Sequence, residues 1–161
     1  MTTNKTQIAR SFRDLNVYRA AREGARKVYD FTRRLPADER YALSDQIRRS
    51  SRAVKAMIAE AWARRRYKAV FINKLDEALG EATETQSWLD DARDAEYLSP
   101  QQFDDVNSQY ISIGRMLSRM IDRADDFCKH VPSTDYRSLP ARVSESATSE
   151  EIPANLEEFF G

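Results

Sequence analysis

The run Ser99-Pro100-Gln101-Gln102-Phe103-Asp104-Asp105-Val106-Asn107-Ser108-Gln109-Tyr110-Ile111-Ser112-Ile113-Gly114-Arg115-Met116-Leu117-Ser118-Arg119-Met120 spells a helix together with its start signal. A serine stands where an N-cap is needed. Proline follows at the first helical position, where a missing N–H costs nothing, and Gln102 is placed to close a capping box. The apolar residues Phe103, Val106, Tyr110, Ile113, Leu117, Met120, Ala124 and Phe127 then alternate three and four apart. That period, near 3.5, suits antiparallel helices crossing at about 20° in a bundle.

Upstream of this helix, three more apolar stripes have helical spacing. The third helix reads Phe71/Ile72, Leu75, Ala78/Leu79, Ala82, Gln86, Leu89 and Ala92. The second begins within Ala37–Arg40, runs to about Arg65, and carries Leu43, Ile47, Ser50/Ser51, Val54, Ile58 and Ala61. Ser44 offers a fresh cap for it. The first carries Val17, Ala21, Gly24, Val28, Phe31 and Leu35, with Asp14 or Asn16 to cap it and Pro36 to end it. The spacing therefore predicts an all-α protein, an antiparallel up-down-up-down four-helix bundle over residues 12–130, preceded by an N-terminal arm at 1–11. Phe103, Tyr110, Ile113, Leu117 and Phe127 are expected in the core, facing Val17, Val28, Phe31 and the stripe of the second helix. Residues 131–161 change character: Pro132, Pro140 and Pro153 break helices, and five serines appear. This segment is expected to be a flexible acidic tail. Apolar anchors return at its end in Leu156, Phe159 and Phe160, spaced for a helix in a groove. They are expected to contact a neighbouring subunit or a partner, or else to fold back onto their own bundle.

The 161 residues suit one domain with a real core. A single cysteine, Cys128, rules out an internal disulfide framework and fits a reducing cytoplasm. No secretory h-region is visible, and no apolar run reaches the roughly 20 residues of a membrane span. Net charge is zero, but its distribution is uneven. Residues 1–74 hold 19 Lys/Arg against 7 Asp/Glu, residues 75–130 hold 5 against 13, and residues 131–161 hold 2 against 6. Such opposition means either a basic face for a polyanion or complementary faces that pair with each other.

Catalytic chemistry has little material. A di-iron bundle needs two Glu-x-x-His elements, and His130 is the only histidine. Cys128 and His130 lack a third group to orient them. Four scattered glycines make no phosphate loop. Glu77, Glu81 and Glu84 fit a solvated face or an ion-pair ladder. No catalytic residue, metal site or cofactor is expected.

The basic residues Arg48, Arg49, Arg52, Lys55, Arg64, Arg65, Arg66 and Lys68 lie within 21 residues interrupted by one acid, Glu60. At 100° per residue, Arg48, Arg52, Lys55 and Arg66 share one flank of the second helix, a cationic strip suited to backbone phosphates. The competing reading pairs these arginines with acids such as Asp90, Asp91 and Asp94.

Phe12-Arg13-Asp14-Leu15-Asn16-Val17-Tyr18, Leu35-Pro36-Ala37-Asp38-Glu39-Arg40-Tyr41-Ala42-Leu43-Ser44-Asp45-Gln46-Ile47-Arg48-Arg49-Ser50, Ile58-Ala59-Glu60-Ala61 and Ile113-Gly114-Arg115-Met116-Leu117-Ser118 resemble the family of four-helix-bundle proteins encoded in 23S ribosomal RNA intervening sequences. The resemblance covers about residues 12–124. It implies a homopentameric bundle, nucleic-acid binding and no assigned enzymatic activity. A relative similar in fold is the accessory variability determinant of diversity-generating retroelements, a pentamer that binds RNA and a reverse transcriptase. Met57 and Ala61 stand where the family usually has Asn and Gly. Two functions follow as expectations. One is a non-enzymatic RNA- or DNA-binding oligomer using the strip. The other is a protein–protein adaptor whose tail docks a partner, a reverse transcriptase among the candidates.

Overall fold

The computed structural model describes residues 8–9, 11–129, 150–151 and 154–161. His130 and the tail prolines Pro132, Pro140 and Pro153 lie outside the described residues. The described residues form four long helices, α1 (Asn16–Thr32), α2 (Leu43–Ala63), α3 (Lys68–Asp94) and α4 (Pro100–Asp122), followed by a short α5 (Ala124–Cys128). Each helix packs on its sequence neighbour, and α1 closes against α4. Cross-helix contacts fix the directions. Arg49 meets Glu84 while Glu60 meets Lys74, so α2 and α3 are antiparallel. Lys27 meets Asp105 and Gln109 reaches the Ala20 carbonyl, so α1 and α4 are antiparallel too.

The apolar stripes form one core. Val17, Ala21, Val28, Ile47, Val54, Ile58, Leu75, Leu89, Ile113 and Leu117 are all buried in it. The α4 start is as the sequence predicts: Ser99 Oγ accepts from the Gln102 N–H, and Gln102 closes the box. Other start signals differ. Neither Asp14 nor Asn16 caps α1 directly. Instead Ser11 and Asp14 form a reciprocal box on a 3₁₀ turn, Phe12–Asp14, one step earlier. Ser44 does not cap α2 but lies buried in its first turn, and the Glu39 carboxylate accepts the Leu43 N–H at 3.3 Å. A carboxylate one turn back thus takes the capping role. Helix α1 ends at Thr32, so Leu35 packs from the following turn, half-buried, and Thr32 takes the last buried position. On α3 the buried polar residue is Thr85, not Gln86: its hydroxyl lies 2.9 Å from Ser50 Oγ in the α2–α3 seam.

The end of the tail is not free. Leu156, Phe159 and Phe160 are 3%, 6% and 6% exposed, inside their own bundle's core. Phe127 is the hub of their contacts, at 5.1 Å from the Phe159 ring and 5.6 Å from Phe71, and Trp62 meets Phe160 edge-on at 6.0 Å. Arg123 and Arg119 hold Glu158, and Leu15 bridges to Phe160. The expectation of partner contact therefore gives way to intramolecular docking, because the aromatic end of the bundle would otherwise stand open to water. A two-residue antiparallel pair, β1 (Ile8–Ala9) with β2 (Glu150–Glu151), ties arm to tail.

Candidate nucleic-acid interface

Helix α2 presents its buried stripe to α1 and α3, which leaves its flank residues at the surface. Arg48 is half-buried: its Nε donates to Thr32 Oγ1 at 2.7 Å, and its guanidinium lies 4.9 Å from the Tyr29 ring. Arg52, one turn on, is exposed, and Lys55 follows half-buried. Among the described residues neither has a carboxylate partner. Arg49 points across the seam instead and pairs with Glu84 at 2.6 Å. Of the acids invoked by the competing reading, Asp90 and Asp94 are engaged elsewhere, 3.1 and 3.7 Å from Arg93 on their own helix.

The second half of the basic stretch is arranged differently. Because α2 ends at Ala63, Arg64 to Arg66 lie in the α2–α3 connection, and the angular extrapolation that put Arg66 on the Arg48 flank fails there. Arg64 is exposed; Arg65 folds over Trp62, 3.9 Å from its ring, with Nη1 donating to the Trp62 carbonyl. Arg66 lies 5.6 Å from the Tyr67 ring, and Lys68 pairs with Asp125 at 2.7 Å. From Lys55 to Arg64 the helix rises roughly 14 Å. The eight residues therefore form two groups, one along α2 and one at its end.

Sequence reasoning missed two cations. Arg33 and Arg40, on either side of Pro36, share a surface cleft with Arg48. The signal was present as a basic residue on each side of a helix-ending proline, but α1 and α2 must pack before those positions converge. The acidic spacing of α3 resolves only in part as a ladder, because Glu81 joins no ion pair among the described residues and keeps its Oε2 buried without a partner. Glu84 takes Arg49, while Glu77 and Glu60 both take Lys74. Hydrogen bonding to Lys74 holds the Glu77 carboxyl below its ordinary range. Burial, aided by Asp125, pushes the Cys128 thiol up, which makes it a poor nucleophile. Among the described residues no cluster of His, Cys, Asp or Glu could hold a metal ion, and no helix is long and apolar enough to cross a membrane.

Residues 13–119 match the family described as 23S rRNA-intervening sequence protein. The chain belongs to that family. A solved structure similar to this member is a protein with unknown function from the S23 ribosomal protein family of Bacteroides thetaiotaomicron. It is 32% identical with a TM-score of 0.61, over 66% of this chain and 95% of that one. No curated protein matches. The family match includes all of α1 to α3 and most of α4, hence both basic groups. The tail that docks on Phe127 lies beyond it.

Proposed function

We propose that this 23S rRNA-intervening sequence protein is a non-enzymatic accessory protein that binds nucleic acid, RNA in the first place, through the cationic flank of α2. It acts in the cytoplasm as a homo-oligomer, with the family resemblance favouring a pentamer. The observation that carries this reading is the pair Arg52 and Lys55, which continue the line of Arg48 and have no carboxylate partner among the described residues. Unneutralised cations along a rigid rod attract phosphates without reading base edges, so binding is expected to be indifferent to sequence. A ring of subunits would repeat the flank and add weak contacts into one multivalent surface.

Retardation of RNA by purified protein, repeated across a salt series, tests this. Affinity is expected to fall with a logarithmic slope of about 0.7 per phosphate contacted on a single strand. Changing Arg48, Arg52 and Lys55 together to glutamate is expected to remove most binding, with helical content and mass by light scattering unchanged. Failure of micromolar protein to retard RNA or DNA at low salt would sink the reading. The adaptor alternative, a tail docking a partner such as a reverse transcriptase, is weakened because its three anchors are engaged within the chain.

A further inference from the structure

The turn joining α1 to α2 builds a cleft that the α2 flank alone does not explain. Tyr29, Thr32, Arg33, Arg40, Ser44 and Arg48 supply its polar lining, around a volume of about 290 Å³. Among the described residues no carboxylate contributes to that lining. Glu39, in the same turn, is turned away: one oxygen accepts the Leu43 N–H and the other accepts the Tyr97 hydroxyl at 3.0 Å. Asp38 is exposed outside the lining, and Asp30, in the adjoining hollow beside Arg33, pairs with Arg26 at 2.8 Å.

Three guanidiniums around one concavity need a reason. The C-terminus of α1 ends here, and a helix end is worth only about half a negative charge. Among the described residues that leaves more than two positive charges uncompensated. Two of the three, Arg48 and Arg33, are also held in place. Arg48 is fixed by Thr32, and the rings of contact with Tyr29 reach both Arg48 at 4.9 Å and Arg33 at 5.9 Å. Ser44 is 5% exposed, lines the cleft, and its hydroxyl has no hydrogen-bond partner among the described residues. Planar guanidinium forks match phosphate oxygens in bidentate fashion, and a hydroxyl adds a donor. The volume is near the lower end of small-ligand pockets, roughly 300 Å³, so a phosphate with a modest attached group fits and a large cofactor does not.

We infer that this cleft binds a phosphate monoester, gripped by Arg33, Arg40 and Arg48 with Ser44 donating. A monoester carries about 1.5 to 2 negative charges at neutral pH and so answers the cleft's surplus better than the single charge of a diester. Two sources share this chemistry: the 5′-phosphate of a strand lying along Arg48, Arg52 and Lys55, or a free mononucleotide. The strand-end source rests on the nucleic-acid reading above; the cleft itself does not.

Calorimetric titration of AMP into the intact protein, together with binding of one short RNA bearing either a 5′-phosphate or a 5′-hydroxyl, separates these. Saturable AMP binding, or about tenfold tighter binding of the phosphorylated RNA, is expected, and Arg33→Gln with Arg40→Gln should remove the effect. Both side chains are exposed, so the variant should keep its melting temperature. Phosphorylation-dependent RNA binding without AMP binding assigns a strand end; AMP binding with two equal RNAs assigns a free nucleotide. If the α2 flank binds no nucleic acid, both RNAs fail while AMP still binds. The inference is overturned if AMP gives no heat up to millimolar concentration and the RNAs do not differ, or if the effects survive in the double variant.

Discussion

Tyr110 enters the core from α4 with its hydroxyl oxygen buried and without a partner of hydrogen-bonding geometry. Ser51 is the polar side chain that acts on it, but the Ser51 hydroxyl already donates to the Arg48 carbonyl at 3.1 Å. Burial pushes the phenol well above its ordinary pKa and outweighs Ser51, so the ring enters the core neutral. An unsatisfied buried hydroxyl costs about 1–3 kcal/mol. Tyr110→Phe is therefore expected to leave the denaturation midpoint unchanged or raise it; a loss above about 1 kcal/mol would mean that Ser51 accepts after all. The same ring explains Gly24, where an added Cβ would meet Tyr110 at 3.1 Å. Leu117, fully buried on the same stripe, answers a different question. Leu117→Ala should cost about 2–5 kcal/mol in urea unfolding, and a change well under 1 would mean that the seam is misassigned.

Helix starts show how local and tertiary signals divide. The α4 box is built from residues three apart, so its spelling was legible, and Ser99→Ala should cost about 1 kcal/mol in thermal or urea melts. An unchanged midpoint would show the cap to be idle. At α2 the obvious serine is not the cap. Glu39 reaches Leu43 from the preceding turn, and that turn is held in part by Tyr97, 58 residues away. On α3, period alone could not separate Thr85 from Gln86, because both keep three-and-four spacing with their neighbours. Facing Ser50 across the seam decided it: a short hydroxyl pair fits between close backbones, whereas Gln86 reaches out to Asn107 at 2.9 Å.

Across the whole molecule, the opposed charges do two jobs. Arg49–Glu84, Lys74–Glu60 and Lys27–Asp105 join basic and acidic helices, although pairs this exposed contribute only about 0–1 kcal/mol each. Among the cations left over are Arg52 and Lys55 on α2 and Arg33 and Arg40 in the cleft beside it. Tail docking is the other global feature. Phe159 and Phe160 cover Phe127 and Trp62, so Phe159→Ala with Phe160→Ala should lower the melting temperature and speed proteolysis to a fragment ending near residue 130. An identical melting curve and an equally rapid cut in the parent would show that docking contributes nothing.

Four amphipathic helices, their order, the α4 cap and the core stripe follow from the sequence alone, because a 3.6-residue period and short-range capping are properties of neighbouring residues. So does the existence of a basic stretch. Which of its members stay unpaired was decided only when α3 turned Glu84 toward Arg49 and Arg93 took Asp90 and Asp94. The seat of Phe159 and Phe160 and the meeting of Arg33, Arg40 and Arg48 also waited for packing. Each joins residues from separate segments, and that proximity is set by how helix faces bury against one another.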